Sequence, residues 1–365
     1  MKKGFLGANL VGLASSLALL ASCSLNVAQD GDVSASNRAA LNVSPIVQTI
    51  AGTGDFGATD GEGLQSTFGF PIGVAIDQSE QNLVIADTSN SLIRNLELNG
   101  NSVATIAGTV GVEGAMNGVG TNASFGNPHY AVFDGTGNNN IFVADTDNNL
   151  IRKIDRSGAV TTFLDGSTTT IVDVAGIAID SLGNLFVADD VQNSIYKITP
   201  SGVTSLLAGG NTLTVGFADG TGSAARFANP AGLAVDTCSN VYVADANNNR
   251  IRKITPAGVV TTLAGSGTSG AADGDGTGAS FFNPNGVAVD TNNAVYVADS
   301  GNNKIRKVQA NGHTTTIAGT GAAGSTNGPG ASATFDDPTG VAVNALGTTI
   351  YVIDSNNNMV RRINL

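Results

Sequence analysis

Six aspartates close short apolar runs along the chain: Asp87, Asp145, Asp189, Asp245, Asp299 and Asp354. Seven residues after five of them stands an arginine, namely Arg94, Arg152, Arg252, Arg306 or Arg361, whereas Asp189 is followed by Tyr196. A ring of arginines could bind anions. Pairing of each Asp with its own Arg is the more economical reading, because a charge buried in a packed sheet requires a partner. A second set of oxygens opens five Gly-rich linkers, at Asp60, Asn117, Asp219, Asp273 and Asn327, each with Phe eight residues on and Pro three residues later. Asp at a Gly-rich turn offers the hard ligands that calcium takes. The same pattern also makes a plain turn, with Phe as a plug and Pro stiffening the next segment, and the two Asn copies favour that reading. The chain has two histidines, His129 and His313, which limits any His-based metal site to two imidazoles. Cys238 lies in a turn with no basic neighbour to activate it and reads as a small turn residue.

These side chains recur because their setting recurs. The gaps between the six aspartates are 58, 44, 56, 54 and 55 residues, at or just above the range of repeat architectures. One copy holds four short runs: Gly286–Asp290, Ala294–Ala298, Lys304–Val308 and His313–Ala318, joined by turns rich in Asn, Asp and Gly. Such runs read as strands of one antiparallel sheet. Six four-stranded sheets make an all-β, six-bladed β-propeller. The last copy has only three runs, and Ile46–Ala51 resembles the missing fourth, Val259–Ala264. The N-terminal strand is therefore expected to close the last blade and hide both edges.

The segments Asn229–Asp236, Val241–Asp245 and Asn248–Ile254 resemble the NHL repeat, and the resemblance covers residues 46–365. It implies a propeller fold without fixing a function, since such domains serve as binding modules, sensor ectodomains and a few enzymes. The zinc lyase built on a similar propeller uses histidine ligands around its channel. Here His129 starts an inner strand and His313 an outer one, which excludes that three-ligand arrangement. Propeller lactonases bind calcium near the channel through carboxylates and Asn. By that resemblance Asn127, Asn229, Asn283 and Asp337, each just before Pro, form an alternative calcium ring, although Asn-Pro is also an ordinary turn opener.

Charge and the N-terminus narrow the expected company. With 17 Lys+Arg against 29 Asp+Glu the net charge is −12, which argues against nucleic acid. Lys2 and Lys3 precede an uncharged stretch, residues 4–22, ending in Leu20, Ala21, Ser22 and Cys23. This segment resembles the lipobox of bacterial lipoproteins. It implies a signal peptide over residues 1–22, acylation of Cys23, a polar tether over 23–45 and a place on the membrane in the cell envelope, outer membrane or surface.

The third copy departs from the others. Its linker lacks the insert, Asp189 is followed by a second acid, Asp190, and Tyr196 replaces Arg. In the preceding copy His129 and Tyr130 follow Pro128, where four others place Gly73, Gly232, Gly286 or Gly340 second after Pro. A notch at His129, Tyr130, Asp190 and Tyr196 is thus the expected binding site for a protein or small-molecule ligand on a loop-rich face. A calcium-dependent hydrolase and a structural envelope protein are the alternatives.

Overall fold

The computed structural model describes residues 44–137, 139–210 and 215–365. Cys23, the signal peptide and nearly all of the tether lie outside them. The described residues form six antiparallel sheets, each meandering outward from the axis, as in a six-bladed propeller. Blade four is typical: Pro230–Val235 is innermost, then Val241–Asp245, Arg250–Ile254 and Val259–Ala264. Second strands such as Val241–Asp245 are buried along their whole length, which explains their unbroken apolar runs. Each ends at its Asp, and a three-residue 3-10 turn leads to a residue in the left-handed region: Ser91, Asn149, Asn249, Asn303 or Asn358 in five blades. Asn suits that backbone better than most residues, which accounts for its recurrence here.

The ring closes as the repeat count requires. Ile46–Ala51 pairs antiparallel with Met359–Asn364, with Ile46 opposite Asn364 and Thr49 opposite Arg361. It supplies the fourth strand of blade six.

Five blades carry a further two-residue strand that the four-stranded repeat did not predict: Gly61–Glu62, Gly118–Val119, Gly220–Thr221, Gly274–Asp275 and Gly328–Pro329. These are the Gly-x segments of the inserts. Each pairs with the outer strand of the blade that follows its insert, as Gly61 does with Val103. The inserts begin on the face where inner strands begin, where Asn90, Asn148, Asn248, Asn302 and Asn357 each donate to an insert glycine carbonyl, and their Gly-x segments then run down the outer wall. A β-carbon on Gly63 would meet the carbonyl of Ile50 on one blade at 2.3 Å and that of Asn101 on the next at 2.7 Å. Glycine is needed because the insert is wedged between two outer strands. The paired segment also covers an open sheet edge. Among the described residues blade three has no such strand, so its outer strand, Thr204–Gly209, is left without that cover.

Candidate functional site

The Asp–Arg sets are internal clamps, not an anion ring. Arg94 donates through Nη1 to Asp87 at 2.6 Å and through Nη2 to Asp60 at 2.7 Å, reaching both the second strand and the insert. Arg252 does the same with Asp245 and Asp219, and Arg306 with Asp299 and Asp273. In blades two and six the insert residue is Asn117 or Asn327, and its side-chain oxygen takes the Asp role. The five arginines are fully buried, each with its guanidinium 5.2 or 5.3 Å from the centre of the insert Phe ring. Asp60 also accepts from the backbone and hydroxyl of Thr105, so its oxygens are occupied by the protein.

Blade three is built differently. Tyr196 is only 4% exposed and packs in an apolar cluster with Leu164, Ile171 and Ile177. Its hydroxyl donates to the carbonyl of Thr170 at 3.3 Å. It therefore belongs to the blade interior and is not part of an open notch. Without the insert, blade three lacks, among the described residues, the short strand that covers the outer edge in the other five blades. Asp189 is buried without an arginine and accepts instead from the backbone N–H groups of Val172 and Gln192.

The next residue, Asp190, does face the channel mouth. Its counterparts Thr88, Thr146 and Ser300 donate a hydroxyl hydrogen to a carbonyl of the following blade. A carboxylate has no such hydrogen to give; Asp190 accepts from Asn229 Nδ2 at 3.3 Å. Its carboxyl also faces that of Asp173. Burial, Asp190 and Asp189 together push Asp173 up to about 7. Sequence reading missed Asp173. It occupies in blade three the place held by Asn127 or Asn229, but no Pro follows it. His129 completes this side of the mouth. Burial pulls its pKa down, while Asp147 and Asp190 pull it up.

The four members of the alternative calcium ring occupy equivalent places around the mouth. All are left-handed, with φ of 43° at Asn127, 52° at Asn229, 48° at Asn283 and 50° at Asp337. The N–H groups of Asn229, Asn283 and Asp337 are held by side-chain oxygens of Asn193, Asn249 and Asn303 on the preceding blade. These residues join blade to blade, and Asn127 is further engaged by Asp147. Among the described residues no three His, Cys, Asp or Glu side chains converge as a metal-binding group. Cys238 sits in its turn with its N–H held by the Asp236 carboxylate at 2.9 Å.

Tyr130 spans the channel. The five other blades have glycine at its level, where a β-carbon would lie 2.1–2.5 Å from a carbonyl oxygen of the neighbouring inner strand. Tyr130 extends across the axis from blade two and donates its hydroxyl to Asn285 of blade five at 2.7 Å. Burial pushes its phenol pKa up. Beyond it, towards the opposite face, lies a well of about 350 Å³ lined by inner-strand residues such as Ile76, Ile179, Val235 and Val289. Each inner strand is paired on one side only, so its other edge lines this well.

Comparisons with known proteins agree with this architecture. The family described as "Teneurin NHL domain" matches residues 268–364, and "NHL repeat" matches residues 227–254. NHL repeat-containing protein 2 of Gallus gallus is 31% identical over 343 residues, covering 81% of this chain and 46% of that protein. The chain thus spans about half the length of the curated relatives it matches. Among solved structures, an auxiliary nutrient binding protein from Bacteroides thetaiotaomicron gives a TM-score of 0.68 at 15% identity, covering 87% of this chain and 76% of that one. A streptogramin B lyase gives 0.54 at 12% identity, covering 88% of this chain and 98% of that one. At such identities the likeness speaks for fold alone. The chain is a six-bladed β-propeller carrying the NHL repeat.

Proposed function

We propose that the protein is a lipid-anchored, extracytoplasmic binding module that takes a protein or small-molecule ligand at the crown face, where inner strands begin. The observation that carries this reading is the Tyr130–Asn285 bridge. It lays a bar across the mouth, with His129, Asp173 and Asp190 on the rim above it. Loops on a rigid scaffold are the usual place for binding groups. A propeller of similar fold described as a nutrient binding protein is in keeping with this role. Cys23, behind an uncharged stretch and two lysines, supplies the anchor in this reading.

Cross-linking in the native envelope tests the binding site. His129→Ala and Asp190→Asn are expected to cut capture of the attached partner about tenfold. Normal capture by both variants would overturn it. For the anchor, Cys23→Ala should abolish incorporation of labelled palmitate and release the protein from the membrane fraction; unchanged labelling would place the acyl group elsewhere.

A further inference from the structure

The left-handed position before each inner strand holds Asn or Asp in four blades, but blade one places Phe70 there, with φ of 43°. Asn and Asp tolerate that backbone, whereas a bulky aromatic residue is an outlier in it. The conformation is fixed by Asn358, whose Oδ1 accepts from the Phe70 N–H at 2.8 Å. Nothing in the blade core uses the ring, which is 46% exposed. It packs on Phe56, 60% exposed, with centroids 6.1 Å apart.

Phe56 is itself a departure. It precedes the glycine whose N–H donates to the insert Phe carbonyl, and the matching residues in the other inserts are Glu113, Val215, Ser269 and Ala323. Blade one has therefore become aromatic at two touching positions. The insert Phe residues hold the protein's own arginines and are buried; Phe56 and Phe70 are open to solvent.

The surface continues over blades six and five. Asn358, which holds Phe70, and Asn356, which donates to Asp336, belong to one turn of blade six. Asp337 is bound in turn by Asn303 of blade five, and Phe282, 47% exposed, lies against Gly301 of that same turn. Among the described residues none of the ion pairs involves Asp336 or Asp337. Burial and the neighbouring Asp336 push the Asp337 pKa up, as expected for adjacent acids without a cation.

We propose that this arc, Phe56 and Phe70, then Asp336 and Asp337, then Phe282, docks an arginine-bearing segment of a partner protein. The inference rests on the crown-face reading above and names the partner's chemistry. A guanidinium stacks flat on an aromatic face and pairs with a carboxylate at its edge, which a lysine ammonium does less well. Charge complementarity selects the occupant: a chain of net charge −12 repels acidic segments and anionic lipid surfaces.

The test uses the propeller chain and fluorescent peptides of alternating Leu and Arg, Leu and Lys, or Leu and Glu, read by anisotropy at low and high salt. The arginine peptide is expected to bind best, with affinity falling as salt rises, and the glutamate peptide not at all. Phe70→Asn installs the residue that other blades carry. It should melt no lower than the parent yet bind the arginine peptide about tenfold more weakly. The double change Asp336→Asn with Asp337→Asn should weaken binding and flatten its salt dependence. Leu346→Ala, an exposed apolar change on the opposite face, should bind as the parent does. Parent-like binding by Phe70→Asn, or equal binding of arginine and glutamate peptides, would overturn the proposal. So would concentration-dependent dimerisation lost in Phe70→Asn, which would make a second copy the occupant. If the arc variants keep native-envelope capture while His129→Ala and Asp190→Asn lose it, this inference falls and the crown-face reading stands. If none of these changes affects capture, both fall.

Discussion

Blades three and four are neighbours of the same topology, yet they solve the middle of the blade in opposite ways. Blade four buries a charge pair, Arg252 on Asp245, and ties the insert Asp219 to the same guanidinium. Blade three buries Tyr196 among aliphatic side chains and satisfies Asp189 with backbone N–H groups. The difference teaches that the clamp belongs to the insert. Where a linker descends the outer wall, an arginine has acceptors on both sides; where it does not, an aromatic residue fills the space. A buried ion pair is weak support for stability in itself, but removing one partner of it is costly.

The largest test of that contrast is a matched pair of deletions. Asp245→Ala strands a buried arginine and should cost about 3–5 kcal/mol in denaturant unfolding. Asp189→Ala strands only backbone donors, and about 1–3 kcal/mol is expected. Equal losses would break the distinction. Next comes the graft: Tyr196→Arg places a guanidinium where no insert acceptor exists, and should destabilise by about 2–3 kcal/mol. A neutral outcome would show that Asp189 alone can hold an arginine.

A smaller effect concerns pH. Asp173, pushed up to about 7 in the fold, has an ordinary carboxyl pKa when unfolded. The folded state therefore favours its proton. Its contribution is fully present below about pH 4 and is lost as pH rises through 7. Asp190→Asn removes the facing charge and should flatten this slope. Because Asp173 is partly in solvent, a relative gain of only about 1 kcal/mol at pH 8 is expected, read from melts at several pH values. The smallest effect is local: amides of Thr204–Gly209 should exchange hydrogen faster than those of Val259–Ala264, whose edge is covered by Gly220–Thr221. Equal protection would mean that the insert strand adds nothing to its edge.

Much of this was legible in the sequence. Short β-branched runs between Asn- and Gly-rich turns reveal strands, and the truncated last copy together with Ile46–Ala51 reveals the closure. The seven-residue spacing from Asp245 to Arg252 already implied the pair, because it brings both residues together across one hairpin. The inserts were harder. A two-residue strand such as Gly61–Glu62 has no periodicity, so its descent along the outer wall left no trace, and Tyr196 was set at the notch although it lies in the blade interior. Asp173 escaped because the Pro that marks its counterparts is absent. Tyr130 stood out from its glycine row, but its partner lies 155 residues away. Such a reach depends on the ring diameter, which no local pattern encodes.

The hydroxyl of Tyr130 on Asn285 lays a bar across the axis between the crown and the well. A solute entering the well from the opposite face meets that bar before it reaches the crown. The well and the crown are then two sites with one side chain between them. A molecule lodged in one should not compete for space with a partner on the other.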